Sequence, residues 1–109
     1  MKALHLALVL LAATAIAPLR AEKPAITSID PPDWFVQLPD PMLLVHGTGL
    51  AGAKFAVAPA AVAIEKTQIS PNGHWAFLWL KTATAAPQTL RITATTAAGS
   101  AAANWQLKP

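Results

Sequence analysis

From residue 22 onward, apolar positions alternate with polar or small ones at a period of two, and Pro, Gly and Asn break the pattern at short intervals. That is the signature of short, half-buried strands. Residues 25–29 read as a first strand. Residues 42–46 read as a second, closed by Gly47-Thr48-Gly49, and residues 54–58 as a third that stops at Pro59. Residues 62–69 hold one or two short strands. Ser70-Pro71-Asn72-Gly73 is a turn with a mechanism, because Asn and Gly accept positive φ, and it leads into a strand over 74–81. Two more strands follow at 89–95 and 102–107, separated by Ala98-Gly99. No segment in this part of the chain offers a credible helix. About seven short strands with turn signals every 8–12 residues or so predict an all-β, immunoglobulin-like antiparallel β-sandwich. The alternating Leu, Ile, Val and aromatic residues weigh against low complexity, despite the abundance of alanine.

The first residues follow a different rule. Met1-Lys2 supplies a positive start, residues 3–17 are an apolar run, and Pro18 breaks it before small residues return, which is the layout of a secretory signal peptide. A cut after Ala17 would place Pro18 first in the mature chain, so cleavage after Ala21 is the better reading. The run falls short of the ~20 apolar residues that span a bilayer, which argues against a membrane anchor. The expected organisation is therefore a signal peptide over 1–21 and one domain over 22–109, exported to the periplasm or secreted, with no membrane association after cleavage.

Removing the leader changes the charge argument. The whole chain carries a formal +3, but without Lys2 and Arg20 the count is 6 basic against 5 acidic residues, a net +1. No Lys/Arg cluster remains to follow a phosphate backbone, so nucleic acid is not an expected partner. The chain contains no cysteine. It therefore lacks the Cys-Trp-Cys pin of antibody domains, and it must hold together by its core or by docking on something larger.

Candidate chemistry is sparse. Three of the acids outside the leader, Asp30, Asp33 and Asp40, flank prolines, where a short carboxylate normally serves backbone donors; Glu22 and Glu65 stand apart. His46 and His74 lie in separate strands without a companion at metal-ligand spacing, and Ser28, Ser70 and Ser100 lack a nucleophile elbow. The expectation is a domain with no catalytic residues, no metal site and no cofactor.

The aromatic layout carries more information. In Trp75-Ala76-Phe77-Leu78-Trp79-Leu80, alternation sends the three aliphatics to one face and the three aromatics to the other. Both stripes are apolar, and on pattern alone either can be the core face. The stretch "SIDPPDWFV" sets a proline pair before Trp34 and Phe35. Prolines cannot donate to a central ladder, so this segment is expected to turn a corner at a sheet edge. Its adjacent aromatics should point to opposite sides, and Trp34 is assigned the exposed, contacting role. The candidate contact residues, for carbohydrate or for a protein partner, are Trp34, Phe35, Trp75, Phe77 and Trp79.

The segment "ITSIDPPDWFVQLPDPMLLVHGTGLAGAKFAV" resembles the N-terminal domain of bacterial cyclomaltodextrinases and neopullulanases of the α-amylase superfamily. Pro31-Pro32-Asp33-Trp34-Phe35 matches a "P-P-x-W-W" motif, and Asp40-Pro41-Met42-Leu43-Leu44-Val45-His46-Gly47 with Leu50-Ala51-Gly52-Ala53 matches the strand and turn that follow it. Gln37-Leu38 stands where the family tends to have Gly-Met. The resemblance implies an immunoglobulin-like accessory domain with the aliphatics of residues 76–80 inward. It also implies a domain that packs on a catalytic (β/α)₈ barrel, helps subunits pair as a homodimer and shapes a groove for α-glucans or maltooligosaccharides. Such a barrel needs roughly 250 residues, so the chain is expected to be non-catalytic by itself. It is read as an association or α-glucan-contact module, alternatively as a truncated fragment of an exported glycoside hydrolase whose barrel is encoded separately, or as a purely structural adhesin-like domain.

Overall fold

The computed structural model describes residues 22–109, so the leader expected over 1–21 lies outside the described residues. Eight strands follow one another: β1 (Ala25–Asp30), β2 (Asp33–Phe35), β3 (Met42–Thr48), β4 (Lys54–Ala58), β5 (Ala63–Ile69), β6 (Trp75–Lys81), β7 (Gln88–Thr96) and β8 (Gly99–Lys108). They form two four-stranded sheets, ordered β1-β3-β6-β5 and β2-β8-β7-β4. All neighbours are antiparallel except β2, which runs parallel to β8. With β2 set aside, the remaining seven strands have the A-B-E-D and G-F-C arrangement of an immunoglobulin-like sandwich.

Every segment expected to be a strand is one. Residues 63–69 form a single strand whose register shifts between Ile64 and Lys66, and β8 starts at Gly99, earlier than residue 102, because its ladder with β7 closes at Thr96 and Gly99. The strand that alternation misses is β2. Three residues are too few to show a period, and β2 exists because the margin of β8 offers Gln106, Leu107 and Lys108 as partners. Pro31 and Pro32 stand where the chain crosses from the first sheet to the second, the edge position their missing donors require.

The core is the inward set of both sheets: Leu43 and Val45 of β3, Ala76, Leu78 and Leu80 of β6, Leu90, Ile92 and Ala94 of β7, and Trp105 and Leu107 of β8, closed by Leu50 and Val62. Full burial of each large aliphatic contributes about 1.5–3 kcal/mol, and here it replaces the missing cystine as the main source of cohesion. Trp105 is 1 % exposed, and its indole N–H donates to the Pro31 carbonyl at 2.7 Å, tying β8 to the proline corner.

Two further ties are polar. Asp40 Oδ1 accepts from the backbone N–H groups of Thr82 (2.8 Å) and Ala83 (3.0 Å), while the Pro41 carbonyl accepts from Leu80 N–H at 3.0 Å. The carboxylate thus serves backbone donors, as its place beside a proline predicts, but donors 42 and 43 residues away. At the expected turn, Ser70 Oγ donates to Asn72 Oδ1 (2.7 Å) and Asn72 Oδ1 accepts from His74 N–H (3.0 Å), with Gly73 at φ 71°. That turn delivers β6 to the middle of the first sheet.

Candidate outward face of the first sheet

Because Ala76, Leu78 and Leu80 are fully buried, the other parity of β6 faces away from the core, and the outward residues are Trp75, Phe77 and Trp79. The antiparallel register sets Trp75 opposite His46, Phe77 opposite Leu44 and Trp79 opposite Met42. On the other flank, Phe77 faces Gln68 and Trp79 faces Lys66 of β5, while β1 places Ser28 beside His46 and Asp30 beside Leu44. One continuous apolar strip therefore crosses β3 and β6, with polar residues on both margins.

The rings on this strip organise one another. His46 stacks on Trp75 with centroids 4.2 Å apart and 29° between the planes, and Phe77 leans against Trp79 at 6.2 Å. Lys66 Nζ sits 4.8 Å from the Trp79 ring centre, within cation–π range, so its charge caps the strip on the β5 side. Glu65 and Lys81 form a loose ion pair of 3.9 Å further along the same margin. Met42 is 44 % and Trp75 39 % exposed, while Leu44, Phe77 and Trp79 are half-buried by their neighbours. A patch of this kind is what a soluble protein ordinarily avoids unless something covers it or binds it.

The remaining two candidate contact residues lie elsewhere, on β2 at the edge of the second sheet. They point to opposite sides, as adjacent residues of a strand must, but their roles are the reverse of the expectation. Trp34 is half-buried, packs against the core and donates its indole N–H to the Pro39 carbonyl at 2.8 Å. Phe35 is the outward ring, 40 % exposed, with Lys108 Nζ 5.9 Å from its centre. The physical reason is that β2 pairs with β8 so that Trp34 lies beside Leu107, a fully buried residue, and shares its inward face. The five aromatics thus occupy two separate places rather than one surface.

Met42, Leu44 and His46, which complete the strip, were given no contact role from the sequence. Leu43 and Leu44 are both leucines, so the alternation in β3 is blurred, and only the register against β6 tells which is outside. Among the described residues no group of three or more His, Cys, Asp or Glu side chains comes together. Asp33 is engaged by Lys108 at 2.8 Å, and Asp40 by backbone donors. The outward face therefore offers contact area and stacking surfaces.

No curated protein matches the chain. The family model described as "Cyclomaltodextrinase, N-terminal" matches residues 28–109, from within β1 through all of β8, which is nearly the entire sandwich built above. The chain therefore belongs to the cyclomaltodextrinase N-terminal domain family.

Proposed function

We propose that this accessory domain works by protein association, docking through the outward face of the first sheet onto a catalytic (β/α)₈ barrel of the α-amylase type. The observation that carries the reading is that β6 is apolar on both faces, with one stripe filling the core and the other, Trp75, Phe77 and Trp79, left at the surface beside Met42 and Leu44. Aromatic residues and Met are enriched at the centres of protein interfaces, and a polar margin such as Asp30, Gln68 and Lys66 is the usual rim. Family membership supports the partner class, since the family is that of N-terminal domains of cyclomaltodextrinases. The domain itself contributes no acid–base chemistry in this reading. It is exported, with the mature chain beginning at Glu22, and mass spectrometry of the processed N-terminus checks that point.

The test uses the barrel portion of a cyclomaltodextrinase stripped of its own N-terminal domain, immobilised and titrated with the purified protein. Saturable binding that weakens at least tenfold in Trp75→Ser and Trp79→Ser supports docking. Stacking rings also suit the C–H face of a glucose unit, so tryptophan fluorescence is titrated in parallel with maltoheptaose and β-cyclodextrin. Saturable sugar binding lost in the same variants, with no barrel binding, replaces docking by α-glucan contact.

A further inference from the structure

Asn72 and Gly73, in the turn before β6, sit on the boundary between solvent and core. Asn72 is exposed, whereas Gly73 is buried at φ 71°, and a Cβ placed on it would come within 2.8 Å of the Ala51 amide nitrogen. Conformation and space both hold position 73 to glycine. Position 72 has to supply an acceptor oxygen, since Asn72 Oδ1 takes hydrogen bonds from Ser70 Oγ–H at 2.7 Å and from His74 N–H at 3.0 Å. The pair that satisfies this turn has a chemistry of its own. An asparagine carboxamide carbon lies one ring closure from the following backbone nitrogen, and glycine hinders that nitrogen least.

The folded turn holds both reacting groups on other partners. Gly73 N–H donates to the Ser70 carbonyl at 2.9 Å, and the Gly73 carbonyl accepts from the N–H of the fully buried Leu50 at 3.0 Å. Ser70 closes the turn a second way: its N–H donates to the Trp75 carbonyl at 2.9 Å, and its Oγ accepts from Trp75 N–H at 3.1 Å. Attack requires Gly73 N without its proton, so its bond to Ser70 must be given up and a base must reach a buried atom. The carboxamide must also swing away from its two donors. Both conditions are met only when the turn opens locally.

We propose that Asn72 is a deamidation site gated by this turn, and that the isoaspartyl form it produces cannot rebuild the turn. Gly73 N, deprotonated by a base from solvent, attacks Asn72 Cγ. A C–N bond forms, the carboxamide nitrogen takes up a proton and leaves as ammonia, and a five-membered succinimide remains. Water then adds to one of the two imide carbonyls and the ring nitrogen recovers its proton. Cleavage of the Cγ–N bond gives an aspartyl chain, and cleavage of the bond from the backbone carbonyl to nitrogen gives an isoaspartyl chain. The aspartyl product keeps an acceptor oxygen for Ser70 and His74. The isoaspartyl product routes the main chain through Cβ and lengthens it by one carbon, so Gly73 no longer meets Ser70 and Leu50 together. The disturbance reaches the first residue of β6, Trp75, which bonds Ser70 and stacks on His46.

Peptide mapping by mass spectrometry of the purified protein, aged in mildly alkaline buffer with and without urea, tests the inference. The chain's other asparagine, Asn104, is also exposed but precedes the bulky Trp105, so it serves as an internal reference. Asn72 should convert to aspartyl and isoaspartyl products at least about tenfold faster in urea than in the folded protein, and faster than Asn104 in urea. Ser70→Ala removes one donor from the carboxamide and should speed conversion of the folded protein about threefold or more, with no effect in urea. The isolated isoaspartyl form should exchange its Leu50, Gly73 and Trp75 amides faster than the parent, whereas Asn72→Asp should match the parent. Equal conversion of Asn72 in folded and unfolded protein overturns the gate. So does a folded Ser70→Ala variant that converts at the parent's rate, or an isoaspartyl form whose amides exchange as the parent's do.

Discussion

The imidazole of His46 lies on the indole of Trp75, ring centroids 4.2 Å apart and planes 29° from parallel, joining the two central strands of the first sheet on their outer side. His46 covers one face of a ring that is already 39 % exposed. His46→Ala should therefore leave the fold intact, cost about 0.5–1.5 kcal/mol, and open Trp75 to solvent. Acrylamide quenching of tryptophan fluorescence checks this: greater accessibility in the variant is expected, and unchanged quenching would contradict the stack.

At the proline corner the two neighbouring aromatics should behave oppositely. Trp34 packs on the core and bonds the Pro39 carbonyl, so Trp34→Ala should destabilise by about 2–4 kcal/mol, as other large-to-small changes at packed aromatic sites do. Phe35 projects outward, and Phe35→Ala should stay within roughly 0.5 kcal/mol of the parent. Urea denaturation of both variants decides the matter, and the reverse order would restore Trp34 as the exposed ring.

Trp105 combines volume with a directed hydrogen bond. Trp105→Phe keeps an aromatic ring in the core but leaves the Pro31 carbonyl without its 2.7 Å donor, a loss of about 1–3 kcal/mol from the bond plus a smaller packing term. The midpoint of denaturation should fall with little change in slope. An unaffected midpoint would mean that the tie between β8 and the corner carries no energy.

Asp40 acts across the fold. Asp40→Ala removes the acceptor of two backbone donors at the end of β6 and should cost about 1–2 kcal/mol, the scale of losing a helix-capping carboxylate. Asp40→Asn retains Oδ1 and should cost less than half as much. Equal losses in the two variants would show that charge, rather than the acceptor oxygen, matters here.

Gly47 has no room for a side chain: a Cβ there would run into the Ala25 carbonyl of the neighbouring strand. Gly47→Ala should force β1 away from β3 and destabilise by about 1–3 kcal/mol. Hydrogen exchange should then rise first along β1, and uniform exchange across the sheet would argue for a different origin of the loss.

Much of this was legible in the one-dimensional pattern. Period-two alternation located all the long strands, since a half-buried strand must write its burial into every second residue, and Asn72-Gly73 marked its turn, where Gly73 takes the positive φ and Asn72 contributes its side-chain oxygen as acceptor. The motif residues around Pro31-Pro32 and Leu43-Leu44-Val45-His46-Gly47 identified the family, which the match over 28–109 shows. The pattern also showed that residues 75–80 carry two apolar stripes, which by itself implied a second surface.

Only the tertiary structure decided how those pieces meet. A strand's own sequence does not say which neighbour it pairs with or in what register, and it was register that set His46, Leu44 and Met42 beside Trp75, Phe77 and Trp79. The parity of Trp34 and Phe35 depended on β2, a strand of three residues that exists through its ladder with β8. Asp40 reached its donors across 42 residues of chain, a distance no local rule spans. Local alternation fixes what a strand wants to bury, because burial is a property of each residue, whereas pairing is a property of two segments brought together by the core.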